Sequence, residues 1–227
     1  RISINTNNGG LFAAKAASQS QATIDSAMQR LSTGSRINNA KDDAAGQAIA
    51  TRLTAEIQGL EIASRNVADG QSLVDTAEGA LQETHTLLLR MREIGVQAAN
   101  GTLSTSDNQA LDAEFQQLVK EIDRIAQNTT WAGAALLNGD GGTVDTSETF
   151  SFQAGVGNNS GADVFDVTIK NADATTLDIY AEQTVGGVTS NSVGLLSQSS
   201  AQAAIGLVDT AIATVSSERA NLGAVSN

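Results

Sequence analysis

From Asp42 to about Asn100 the apolar positions fall into a seven-residue rhythm. Leu53, Leu60, Val67, Val74, Leu81 and Leu88 recur over five heptads, with no proline to interrupt them. Seven residues make nearly two helical turns, so this repeat is the seam of a helix packed lengthwise on other helices. Ala63, Gly70, Ala77, Thr84 and Met91 follow three residues after the seam positions and are mostly small, which lets a partner backbone come close. A helix of that length is a rod of about 80–90 Å at 1.5 Å per residue, too long for a compact globule. The pattern predicts the spine of an elongated protein.

Other stretches supply partners for the spine. Leu111, Phe115, Leu118, Ile122 and Ile125 step by four, three, four and three. They predict a third helix opened by a capping box at Ser106 and Gln109 and folded back beside the spine's second half. Trp131 and Ala134–Leu137 then close this bundle, and Asn138-Gly139 makes a turn. Near the C-terminus, Ile205, Val208, Ile212, Val215, Arg219 and Leu222 form a second heptad seam, whose matching partner is the spine. At the other end, Asn7-Asn8-Gly9-Gly10 breaks structure and Leu11–Leu31 reads as an alanine-rich helix. Ile24, Met28 and Leu31 make one narrow apolar side of it, and Gly34 caps its end. Asn39 is the expected N-cap of the spine, with Asp42 and Asp43 in its first turn, where the helix dipole favours negative charge.

Between Gly139 and Ser197 the texture changes. Eight glycines lie from Gly139 to Gly187, and β-type alternation marks Thr149–Gln153, Val164–Ile169 and Leu177–Tyr180. Short strands with glycine turns predict hairpins. The expected fold class is mainly α with a small β region: an elongated antiparallel bundle on one very long helix, with a hairpin-rich insertion before the C-terminal helix. The expected parts are an N-terminal arm (1–41), a bundle core (42–139 and 199–227) and a β-rich insertion (140–198) at the bundle's far end.

Composition sharpens this picture. The hydrophobic class is 41% but aromatics only 3%, which suits thin helix–helix seams better than a thick core. There is no cysteine, hence no disulfide framework and no thiolate metal site. No apolar run is long enough to span a bilayer, and the first thirty residues lack the apolar core of a cleavable signal peptide. Net charge is −12, distributed as +4 over residues 1–41, −8 over 42–137 and −7 over 138–198. A mildly basic arm on an acidic body is no nucleic-acid surface.

Catalytic and metal chemistry finds little support. His85 is the only histidine, so a histidine-rich zinc site is excluded, and Glu83 lies two residues away on another side of the helix. No His-Glu-x-x-His, no Gly-x-Ser-x-Gly elbow and no phosphate-binding loop is present; Gly139-Asp140-Gly141-Gly142 lacks the lysine and helix that a phosphate loop requires. Asp163 and Asp166 suit solvated loops better than a calcium site. The chain reads as no enzyme, with no cofactor.

Arg30-Leu31-Ser32-Thr33-Gly34-Ser35-Arg36-Ile37-Asn38-Asn39-Ala40-Lys41-Asp42-Asp43-Ala44-Ala45-Gly46-Gln47-Ala48-Ile49-Ala50 resembles bacterial flagellin. So do Ile4–Asn7, Ala63–Asn66, Glu78–Leu81, Leu88–Asn100, Glu121–Arg124, Leu136–Gly139 and Asn221–Val225. The likeness covers most of 1–140 and 199–227; residues 140–198 look like the region in which flagellins vary.

The resemblance implies a subunit of the extracellular flagellar filament, serving motility. The terminal arms would form an inner tube, the bundle a surrounding wall, and the insertion would face outward. It also implies export through the flagellar secretion apparatus, with chaperone and cap proteins as partners beside other copies of the chain. Arg30, Leu31, Ser32, Gly34, Arg36, Ile37, Asn38, Asp42 and Asp43 belong to its terminal assembly region. Arg90, Met91, Arg92, Glu93 and Ile94, with Glu114, match a patch that packs between subunits and that a Toll-like innate immune receptor reads in some flagellins; both readings stay open. A flagellin-like adhesin or ligand receptor acting through 140–198, or a hook–filament junction protein, are the alternatives. Flagellins continue beyond the Leu222–Val225 stretch into a second arm, so the expectation is a shortened chain, with a mobile N-terminal helix, that forms no normal filament.

Overall fold

The computed structural model describes residues 7–138, 147–185 and 188–226. The chain packs as two units, residues 1–59 and residues 60–227.

In the first unit, helix α1 runs over Asn8–Thr33, 26 residues. Asn7 caps it by accepting the Gly10 N–H at 3.0 Å, so Gly9 and Gly10 lie inside the first turn rather than breaking the structure. A side-chain cap satisfies an otherwise orphaned N–H, which outweighs glycine's poor helix propensity there. Gly34, at φ 67°, ends the helix in the left-handed conformation. The spine, α2, runs over Ala44–Ala98, 55 residues. Its cap is Asp43, not Asn39: the Asp43 carboxylate accepts the Gly46 N–H at 2.8 Å. Asn39 instead closes a turn, with Asp42 N–H donating to its carbonyl at 3.0 Å. The Asp42 carboxylate turns back to accept the Asn38 and Asn39 N–H groups at 3.3 and 3.1 Å. Both aspartates are thus spent on shaping the connection.

In the second unit, α3 covers Thr105–Asn128 and α4 covers Gln198–Ser226. The capping box of α3 is Ser104 with Asp107, two residues before the expected pair, because the helix opens at Thr105 and the Asp107 side chain reaches back to the Ser104 N–H at 3.1 Å. Leu73, Leu81, Leu88, Met91 and Ile94 of α2 join Phe115 and Ile122 of α3 and Val208, Val215 and Leu222 of α4 in one buried cluster.

The seam is shorter than its heptads. Val74, Leu81 and Leu88 are buried, whereas Leu53, Leu60 and Val67 are 47%, 51% and 40% exposed. Arg92 bonds Asp209 at 2.6 Å and Arg219 bonds Glu78 at 3.1 Å, so α4 runs antiparallel to α2. In that register Ser226, the last described residue of α4, lies at the pocket that Val67 and Val74 of α2 also line. On α4 the buried line is Ala201, Ala204, Val208, Ala211, Val215, Glu218 and Leu222; Ile205 and Ile212 are only half-buried at its flank. The line opens on the small residues Ala201 and Ala204, where the helices are close: a Cβ on Gly95 would sit 3.0 Å from Ile205 Cγ1.

Among the described residues the strands make three two-stranded antiparallel sheets. Strand β1, Thr130–Trp131, pairs with β2, Ala134–Ala135; β3, Glu148–Gln153, pairs with β4, Val164–Ile169; β5, Glu182–Val185, pairs with β6, Val188–Asn191. Leu177–Tyr180 is not a strand. It closes a turn, with Leu177 N–H donating to the Asp173 carbonyl at 3.0 Å and Ile179 N–H to the Ala174 carbonyl at 3.0 Å, and with Asp178 at φ 56°. Its alternation is real, since Leu177 and Ile179 are buried, but a turn produces it.

The insertion does not sit at one end. Phe152 and Phe165 stack at 5.2 Å between centroids over Gly70, where a Cβ would lie 2.8 Å from Phe165 Cζ. Val193 and Leu195 are buried at the other limit of the segment. Three helix carboxylates hold it: Asp112 accepts the Leu195 N–H at 2.7 Å, Asp123 the Ala174 N–H at 2.8 Å and Glu218 the Lys170 N–H at 3.1 Å. The expected Gly139 turn and the Gly139–Gly142 run lie outside the described residues.

Candidate functional site

Among the described residues no group of three or more His, Cys, Asp or Glu side chains is arranged to hold a metal ion. His85 is half-buried and Glu83 exposed on α2. What the molecule offers instead is unburied apolar surface.

Helix α1 buries no residue at all. Leu11, Phe12, Ile24, Met28 and Leu31 are all exposed, Phe12 at 78% and Leu31 at 81%. Ile49, Leu53 and Ile57 of α2 continue this property within the first unit, and Leu60, Ile62 and Val67 show it in the second. Bulky aliphatic side chains at this density are costly to leave in water, at about 25 cal/mol per Å² of apolar surface. Contiguous exposed apolar surface marks an interaction site. Pattern reading found Ile24, Met28 and Leu31 but missed Phe12, Ile49, Ile57 and Ile62. The spacing of four from Ile49 through Leu53 to Ile57 was the available signal.

The connection between α1 and α2 is built tightly. Arg36 reaches Asp43 at 3.8 Å, the Asn38 carboxamide donates to the Ser35 carbonyl at 3.0 Å, and Ile37 is half-buried. A Cβ on Gly46 would fall 2.9 Å from Ile37 Cδ1, so glycine is what lets this turn close on the helix. Arg30 stands in the last turn of α1, favourable against the helix dipole, and Ser32 and Leu31 remain exposed.

The Arg90 patch comes apart. Met91 and Ile94 are fully buried in the bundle, so neither lies on the surface with the rest of the set. Helical periodicity explains this: three and six residues after Leu88, they fall on the same inward face. Arg90, Arg92, Glu93 and Glu114 are exposed. Arg90 donates to Glu114 of α3 at 2.8 Å and to Glu93 at 3.1 Å, and these two carboxylates hold its guanidinium charged even more firmly than usual, Glu114 contributing most. Arg92 is engaged by Asp209.

The chain matches the family described as bacterial flagellin N-terminal helical region over residues 4–141. The chain belongs to the flagellin family. Flagellin A of Vibrio anguillarum is 46% identical over 154 residues, covering 68% of this chain and 39% of its own length. The flagellin of Halalkalibacterium halodurans is 43% identical over 201 residues, covering 88% of this chain and 67% of its own length. The crystal structure of Bacillus cereus flagellin matches with a TM-score of 0.56 at 29% identity, covering 70% of this chain and 81% of that one. The chain thus spans about two fifths of the length of the Vibrio flagellins it matches. Its mainly helical fold with small antiparallel strand pairs agrees with this membership.

Proposed function

We propose that this chain acts as a structural subunit of the bacterial flagellar filament, self-associating through its unburied helical surfaces. One observation carries the reading: α1 has no buried residue, yet five bulky apolar side chains stand on it. In an isolated chain such surface is a liability, whereas in a polymer it becomes the interface. The names of the relatives, all flagellins, support the same reading. On this proposal the N-terminal arm, residues 1–41, makes contacts between copies. A separate surface at Leu60, Ile62 and Val67 does so in the second unit, and residues 140–198 lie toward solvent.

The same reading places the protein outside the cell, exported through the flagellar secretion apparatus with chaperone and cap proteins as transient partners. No helix among the described residues is long and apolar enough to cross a membrane. The ion-paired surface of Arg90, Arg92, Glu93 and Glu114 serves packing between copies. A Toll-like receptor would have only these four of the six residues within reach.

Co-sedimentation with short flagellar filament fragments tests the proposal. The chain is expected to pellet with the fragments, and to stay in solution when Leu11, Phe12, Met28 and Leu31 are replaced by serine. A chain that remains in the supernatant beside the fragments, or that pellets equally well with the four serines, overturns it.

A further inference from the structure

The groove beside the β1–β2 hairpin is not used by the filament reading. It is open to solvent, holds roughly 600 Å³ and is lined by Asn66 and Asp69 of α2, Trp131 and Ala132 of the hairpin, and Ser151, Phe152 and Gln153 of β3. All of these belong to the second unit. The volume falls within the range of small-molecule sites.

The chemistry of the lining is specific. Trp131 is half-buried and lines the groove, and its indole N–H has no partner among the described residues. The hairpin that carries it turns through Ala132 at φ 49° and Gly133 at φ 88°. Both central residues of a two-residue hairpin loop take positive φ, so the turn type fixes this geometry and presents Trp131 at the hairpin's edge. The Asn66 amide donates to the Gln153 carbonyl at 2.9 Å, leaving its own carboxamide oxygen free. The Gln153 amide donates to the Gly155 and Gly157 carbonyls at 3.0 and 3.1 Å, leaving its oxygen free as well. The exposed Asp69 carboxylate makes no hydrogen bond or ion pair among the described residues. Free acceptors therefore outnumber free donors, beside an aromatic face, and no Lys, Arg or His lines the groove.

We propose that this groove binds a neutral pyranose saccharide. A ligand that suits it must donate several hydrogen bonds, carry no negative charge and present a flat apolar face. A pyranose meets all three: its hydroxyls donate to Asp69, Asn66 and Gln153, and its C–H face lies on the Trp131 ring. Phosphate, sulfate and carboxylate ligands are repelled by Asp69 and meet no cation.

Trp131 is the only tryptophan of the chain, so intrinsic fluorescence reads this groove directly. The full chain is titrated with the methyl pyranosides of glucose, galactose, mannose and N-acetylglucosamine. At least one should give a saturable emission change with a midpoint in the millimolar range, as befits a single shallow site. Asp69→Ala should weaken that response about tenfold by removing a charge-assisted hydrogen bond, with far-UV circular dichroism unchanged. No saturable change with any of the four sugars up to about 100 mM overturns the proposal. An undiminished response in Asp69→Ala overturns it too. Saturation by tetramethylammonium without sugar binding would reassign the groove to a cation. An emission change driven by protein concentration alone, with no sugar response, would reassign it to a second copy.

Discussion

Leu53 and Leu88 occupy the same heptad position of the same helix, and they should respond to the same substitution very differently. Leu88 is 0% exposed within the cluster shared by α2, α3 and α4. Truncating it to alanine removes buried methyl groups and leaves a cavity, which costs about 2–5 kcal/mol. Leu53 is 47% exposed and lies outside the buried cluster. Leucine and alanine are both strong helix formers, so Leu53→Ala should stay within about 0.5 kcal/mol of the parent. Trp131 packs against the core cluster and is the only tryptophan, so its emission during a urea titration follows unfolding of the second unit. At a slope of roughly 2 kcal/mol per M, Leu88→Ala should lower the urea midpoint by about 1–2.5 M and Leu53→Ala by under about 0.3 M. Far-UV circular dichroism supplies the same comparison for the whole helical content, the first unit included. Equal shifts for the two variants would mean that the seam is packed along its full heptad length, and the exposed-arm argument would fail with it.

Burial raises the carboxyl pKa of Asp123 above its ordinary value, against the opposing effect of the Ala174 N–H it accepts. Its folded-state pKa therefore exceeds the unfolded one, so its contribution is most favourable below the unfolded pKa and is lost as pH rises through the folded value. Asp123→Asn keeps an acceptor without the charge, and should gain stability relative to the parent between pH 3 and 7 in urea titrations; a flat difference across pH would contradict this. Asp123→Ala strands the buried Ala174 N–H and should lose about 1–3 kcal/mol. Ala132→Gly relieves left-handed strain and should raise stability by up to about 1 kcal/mol in thermal melts. Arg90→Ala removes only exposed ion pairs, and should leave the unfolding free energy from urea titration unchanged within about 1 kcal/mol while weakening sedimentation with filament fragments.

Helix content and pairing were legible because they follow from local periodicity. Caps were less so: Asn39 and Ser106 are good capping residues by type, but Asp43 and Ser104 won because helix starts depend on where the whole connection closes. The failures at Leu53, Leu60 and Val67 have a different origin. A heptad repeat states that a face is made to be buried, without stating by what, and among the described residues this part of the face stays exposed. Met91 and Ile94 failed in the opposite direction, since a resemblance grouped them with Arg90 while their helical phase points them inward. The Trp131 groove was not legible at all, because it joins α2, the β1–β2 hairpin and β3 across more than eighty residues.

The acidic excess also acquires a use that charge counting does not reveal. A two-stranded hairpin is marginal alone in water, and β3–β4 and β5–β6 each pair only once. Their connecting backbone must still satisfy its N–H groups where it is buried. Asp112, Asp123 and Glu218 do this from the helices, each accepting one N–H of the insertion. In return Val167, Ile169, Leu177, Ile179, Val193 and Leu195 complete the apolar cluster of the bundle. Fold and insertion are thus coupled in both directions: the glycine-rich stretch borrows acceptors it does not contain, and the thin helical seams gain bulk that an aromatic-poor sequence does not otherwise supply. A segment tied down in this way can vary in its exposed residues only while it preserves these three bonds and its buried side chains, Ala172 and Ala174 among them.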